Sequence, residues 1–141
     1  MRVGAPGYDG SVSVGELIDS IYTRDMWMHR ADLCHATGRE MTLTPDHDGR
    51  INALIVRDLD RDLRRRLDGR AVLLRLTGRI GGEWVLGTGT AQAAITLDVM
   101  TFNRLASGRI SSQQVTDAGQ ALIDGDPELA RLALRHLIAL Y

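Results

Sequence analysis

The chain has 141 residues, 44% hydrophobic and 25% charged, a globular composition that excludes a disordered chain and fits the ~100–200 residues of one domain. Its 17 basic and 18 acidic residues leave a formal charge of −1, which gives no general pull toward nucleic acid or a membrane surface. The one cysteine, Cys34, excludes an internal disulfide, no apolar run approaches the ~20 residues of a membrane span, and no signal-peptide core follows Met1, so a cytoplasmic location is expected.

Residues 1–13 read as a flexible leader, with glycines and one proline near the start. Ser13-Val14-Gly15-Glu16 fits a capping box, and a helix is expected over 14–37. Leu17, Ile21, Met28, Ala31 and Cys34 form its apolar stripe, widened by Ile18, Tyr22, Met26 and Trp27, and Gly38 suits a left-handed stop. Thr44-Pro45-Asp46 opens a second helix, with Thr44 as N-cap and Pro45 in the first position. Ile51, Leu54, Ile55, Leu59, Leu63 and Leu67 recur on one face, and Gly69 closes it. Arg64, Arg65 and Arg66 in its last turn suit the macrodipole; they read as a solvated helix end or as an anion patch. All 17 basic residues are Arg, and their scatter favours a coding bias over selection for bidentate anion contacts.

The period then changes. Residues 71–76, 83–86 and 91–97 read as strands joined by glycine-rich turns, which predicts an antiparallel meander. Asp98 caps a helix through about 107, Ser111-Ser112-Gln113-Gln114 opens a short one, and 119–123 is a fourth strand. Asp126-Pro127-Glu128 starts the last helix, with Leu129, Leu132, Ala133, His136, Leu137 and Leu140 on one face. Segregated helices and strands indicate an α+β fold.

No nucleophile elbow, Walker loop, dinucleotide fingerprint or zinc ribbon occurs. Asp25 and His29 stand four apart, and Asp32 three further on, so they share a stripe of the first helix. A carboxylate and an imidazole at that spacing can share a metal, with a second carboxylate orienting the ring. The other reading is an ordinary polar contact one helical turn apart, because two ligands do not make a site. The remaining histidines supply no obvious third ligand, and His136 reads as a satisfied core histidine.

The stretch Asp25-Met26-Trp27-Met28-His29-Arg30-Ala31-Asp32-Leu33, with Ala36-Thr37-Gly38-Arg39 after it, resembles the last bundle helix of the mycothiol-dependent maleylpyruvate isomerase family, which is similar to the DinB group. That family carries an acid-x-x-x-His metal pair here, often with Glu where this chain has Asp25. The later half resembles the family's C-terminal domain, similar to sterol carrier protein 2, over Leu97–Arg109 and Gly125–Ala130. The resemblance implies an antiparallel sheet covered by helices over 44–141, preceded by one long helix in 14–43. Three further bundle helices, one bearing a third ligand, have no counterpart before Val14. Exposed Met26, Trp27 and Met28 would then form a sticky patch, and a homodimer through this helix is the expected remedy.

Two functions follow from the resemblance. One is a binding module for a small apolar or lipid-like molecule, with Trp84, Met100 and Phe102 as candidate ligand-binding residues and no cofactor required. Its metal helix would be vestigial. The other is an isomerase or transferase, or a subunit of one, completed by a partner chain. It would use zinc or another divalent metal on Asp25 and His29, Asp32 behind them, mycothiol as thiol cofactor, and Arg109 as a catalytic group toward an anion. Arg109 equally fits an arginine that satisfies the end of the preceding helix.

Overall fold

The computed structural model describes residues Arg2–Gly4 and 11–139. The chain divides into two compact units, one ending at Thr42 and one running Leu43–Ala139.

The first unit opens with two short strands, β1 (Arg2–Gly4) and β2 (Ser11–Ser13), paired antiparallel with Val3 opposite Val12. The expected flexible leader over 1–13 therefore carries a strand pair at Arg2–Gly4 and Ser11–Ser13. Next come a single turn, α1 (Val14–Glu16), a π-helical stretch Leu17–Tyr22 and α2 (Thr23–Thr37), where one regular helix was expected. The Thr23 hydroxyl donates to the Ile18 carbonyl, five residues back, at 3.0 Å, as a wide turn allows. Gly38 ends α2 at φ +64°, the left-handed stop read from the sequence. The expected Ser13–Glu16 capping box lies outside the described side chains.

The second unit starts with Thr44 extended and a π-helical turn, Pro45–Gly49, leading into α3 (Arg50–Leu67). Thr44 does not cap as expected. The wide turn brings Asp48 back over it, so the Thr44 hydroxyl donates to Asp48 Oδ2 at 2.9 Å. α3 buries Ile51, Asn52, Ile55, Val56, Leu59, Leu63 and Leu67. Its triple-Arg end is partly paired along the helix surface, Arg64 with Asp60 and Arg65 with Asp62 at 2.8 Å each.

Four strands follow: β3 (Ala71–Thr77), β4 (Gly82–Gly87), β5 (Ala91–Asp98) and β6 (Leu122–Gly125), in the spatial order β4-β3-β5-β6. The outer pairs are antiparallel, but β5 lies parallel to β3. The predicted meander is therefore wrong at its third strand. Residues 88–90 cross the start of β3 instead of making a hairpin, and Thr88 N–H donates to the Arg70 carbonyl at 3.1 Å. Gly87 (φ +92°) and Gly89 (φ +88°) allow the crossing.

Between β5 and β6 lie α4 (Val99–Ala106), capped by Asp98, and α5 (Ser112–Asp117), opened by the expected Ser111–Gln114 capping box. Asp126 caps α6 (Pro127–Arg135), with Pro127 in its first turn. α6 stops at Arg135, before the His136 and Leu137 positions assigned to it from periodicity. Beyond the helix Leu137 is buried, and Ala139 N–H donates to the Ala106 carbonyl at 2.7 Å. α3, α4 and α6 cover one face of the sheet, over Val72, Leu74, Leu76, Leu86, Ile95 and Leu97. The other face is open and carries Arg75 bonded to Glu83 at 3.0 Å, with Val85 and Leu122 exposed.

Candidate functional site

The buried side of the helix layer in the second unit is apolar apart from Thr101 and one pair of side chains. Asn52 on α3 and Asn103 on α4 are 1% and 0% exposed. Asn103 Nδ2 donates to Asn52 Oδ1 at 3.0 Å and to the Val99 carbonyl at 2.8 Å. The Val99 carbonyl fixes the Asn103 amide orientation, since an oxygen cannot face an oxygen there. Two atoms of the pair remain without a partner among the described residues: Asn52 Nδ2, a donor, and Asn103 Oδ1, an acceptor. Buried polar groups are nearly always bonded, so this half-closed carboxamide pair is an exception with a cost. The helices that carry the pair otherwise bury mainly apolar residues, among them Ile51, Ile55 and Val56 on α3 and Val99, Phe102 and Ala106 on α4.

Sequence reasoning passed over both residues. The signal was present: Asn52 sits between Ile51 and Ile55 on the apolar face of α3, and Asn103 follows Phe102 within the apolar run of α4.

The expected ligand-binding residues are placed differently from one another. Phe102 is fully buried in α4, whereas Trp84 on the edge strand β4 and Met100 at the start of α4 are half-buried. The Trp84 ring lies along Gly82, where an added Cβ would stand 2.7 Å from its Cη2. Arg109 is half-buried just beyond α4, and its backbone N–H donates to the Arg104 carbonyl at 2.9 Å, closing that helix.

In the first unit, Asp25, His29 and Asp32 do come together. His29 Nε2 stands 3.4 Å from Asp25 Oδ2, and Nδ1 stands 4.0 Å from Asp32 Oδ2. All three side chains are substantially exposed. The pair offers two donors to a divalent ion. Among the described residues, no group of three His, Cys, Asp or Glu is placed to hold one. The expected sticky patch needs correction: Trp27 and Met28 are buried, together with Arg24 and Ala31. The exposed apolar residues of this helical run are Ile18, Tyr22, Met26 and Leu33.

His136 at the end of α6 is half-buried, not a core histidine. Burial, with the guanidiniums of Arg66 and Arg135 nearby, holds its imidazole below the ordinary histidine range.

No family model matches the chain, and no curated protein does. Solved structures do show similarity. Sterol Carrier Protein 2 from Yarrowia lipolytica, in its apo form, aligns with 17% identity over 62% of this chain and 87% of its own, at a TM-score of 0.47. The sterol carrier protein domain 2 of Helicoverpa armigera aligns with 15% identity over 66% and 88%, at 0.46. The UbiJ-SCP2 ubiquinone synthesis protein aligns with 18% identity over 70% and 93%, at 0.41. Each is a likeness at low identity. None of them supports the maleylpyruvate isomerase resemblance of the first helix. Among the described residues, no helix is long and apolar enough to cross a membrane.

Proposed function

We propose that the second unit is a binding module for a small apolar or lipid-like molecule, held between the helix layer and the covered face of the sheet. The observation that carries this reading is the composition of that interior. Among the described residues of the unit, the buried polar side chains are Asp48, Asn52, Thr101 and Asn103, set among aliphatic residues and Phe102. Apolar binding sites have this make-up, with few placed polar groups in an apolar lining. Half-buried Trp84 and Met100 are the large side chains that would move most easily to admit a ligand. The test is thermal melting of the full chain with decan-1-ol, decanoate and cholesterol in turn. A rise in Tm with at least one of them is expected; no shift with any of them overturns the reading.

A second reading concerns the first unit, and the exposed stripe favours it. Tyr22, Met26, His29 and Leu33 follow the four-three-four spacing of a helix seam, with Ile18 one turn before. We propose that it pairs antiparallel with the same stripe of a second copy. The register that sets Tyr22 against Leu33 also sets Asp25 against Arg30, so apolar and charge complementarity coincide. Two Asp25–His29 pairs would then lie near the shared axis and supply the ligands for zinc that one copy lacks. Light scattering of the eluting protein, with and without zinc chloride, tests this. A dimer strengthened by zinc and weakened by Met26→Glu is expected; a monomer throughout contradicts it.

A further inference from the structure

Among the described buried side-chain nitrogens and oxygens of α3 and α4, those without a partner are Asn52 Nδ2 and Asn103 Oδ1. They are the loose ends of one bonded pair, joined through the 3.0 Å contact between Asn103 Nδ2 and Asn52 Oδ1. One loose end can only donate and the other can only accept. A carboxylate would satisfy the donor and repel the acceptor. An ammonium would do the reverse. A hydroxyl accepts from Asn52 and donates to Asn103 with the same oxygen. The other buried side chains of α3 and α4 are apolar apart from Thr101, so the rest of a molecule bound through that group would have to be apolar.

We infer that the Asn52–Asn103 pair is the recognition subsite for a single hydroxyl, the one polar group of an otherwise apolar alcohol. The inference rests on the reading of the second unit as an apolar-ligand module, and it names the ligand class. A hydroxyl there can come from an alcohol or from an internal water, and the experiment separates the two. The carboxamide pair is a selectivity device: sites that hydrogen-bond a hydroxyl discriminate strongly against analogues that leave their buried groups unpaired.

The experiment titrates the full chain with decan-1-ol, decanoate and decylammonium, which share one alkyl chain and differ in the polar end. It is repeated on the double variant Asn52→Leu, Asn103→Leu. Replacing both partners by apolar groups of similar size leaves no orphan behind, so this variant is expected to fold. The side-chain amide resonances of Asn52 are followed in the wild-type chain, which keeps a readout should the variant fail to fold.

The expected result is binding of decan-1-ol at least tenfold tighter than either charged analogue, a shift of the Asn52 amide resonances on its addition, and loss of that preference in the variant. Equal binding of all three overturns the subsite while leaving the module standing. So does a preference that survives in the variant. So does a water cross-peak to the Asn52 amide that persists at saturating decan-1-ol, which assigns the hydroxyl to internal water. Binding of none of the three removes the subsite and the module together.

Discussion

Asp60 on α3 accepts the backbone N–H of Gly87, the last residue of β4, at 2.8 Å through Oδ1. Its other oxygen accepts from Arg64 Nε, also at 2.8 Å. One carboxylate thus pins the helix layer to the point where the chain leaves β4 and crosses β3. The crossing decides that β5 joins β3 in parallel, so this contact stabilises the topology.

Asp60→Ala removes a charge-assisted bond to a part-buried backbone donor, and the loss is expected to be about 1–3 kcal/mol. Arg64→Ala removes only the exposed ion pair and is expected to cost less than about 1 kcal/mol. Urea unfolding of the two variants checks the order.

Gly87→Ala is expected to be worse. A Cβ there would overlap the Arg70 carbonyl oxygen and stand 2.9 Å from Leu67 Cδ1, at φ +92°. Left-handed strain costs roughly 1–2 kcal/mol and crowding about 1–3 more. Gly38→Ala is the control: φ is +64°, but nothing lies within 4 Å of the added Cβ, so only the conformational cost applies. A urea midpoint for Gly87→Ala equal to that of Gly38→Ala would contradict the close crossing.

The two faces of α2 give opposite expectations for adjacent residues. Trp27 is 4% exposed and Met26 is 67% exposed. Trp27→Ala is expected to destabilise the fold by about 3–5 kcal/mol, whereas Met26→Glu stays within about 0.5 kcal/mol for each folded copy. Denaturation at low protein concentration compares them without interference from self-association.

His136 makes stability pH-dependent. Its imidazole titrates below the ordinary value in the folded chain, so the unfolded chain takes up a proton first as the pH falls. The fold therefore holds this contribution in full above about pH 6.5 and loses it on acidification toward the lowered folded value. His136→Gln is expected to flatten the fall in urea midpoint between about pH 7.5 and pH 5.5. An unchanged slope in the variant would show that His136 does not carry it.

Local signals were legible in the sequence where the responsible residues are neighbours in the chain. The Asp98, Ser111 and Asp126 caps form as written, because each is settled within three residues. The α+β class was equally readable from the change of period at Ala71. Strand pairing was not. The glycines at 87 and 89 suit a hairpin and a crossover alike, and only the contacts of Gly87 with Arg70 and Asp60 choose between them. The π-helical turns were invisible for a similar reason: Asp48 meets Thr44 only once the turn has widened. The candidate site was half legible. Asp25, His29 and Asp32 meet because helical geometry brings them together. Asn52 and Asn103 lie 51 positions apart, and nothing local announces that they bond.

The most direct test of the account is a native mass spectrum of the full chain incubated with decan-1-ol. One alcohol retained per chain is expected in the wild type, and none in the Asn52→Leu, Asn103→Leu variant under the same conditions. A wild-type spectrum showing only the bare chain would contradict it.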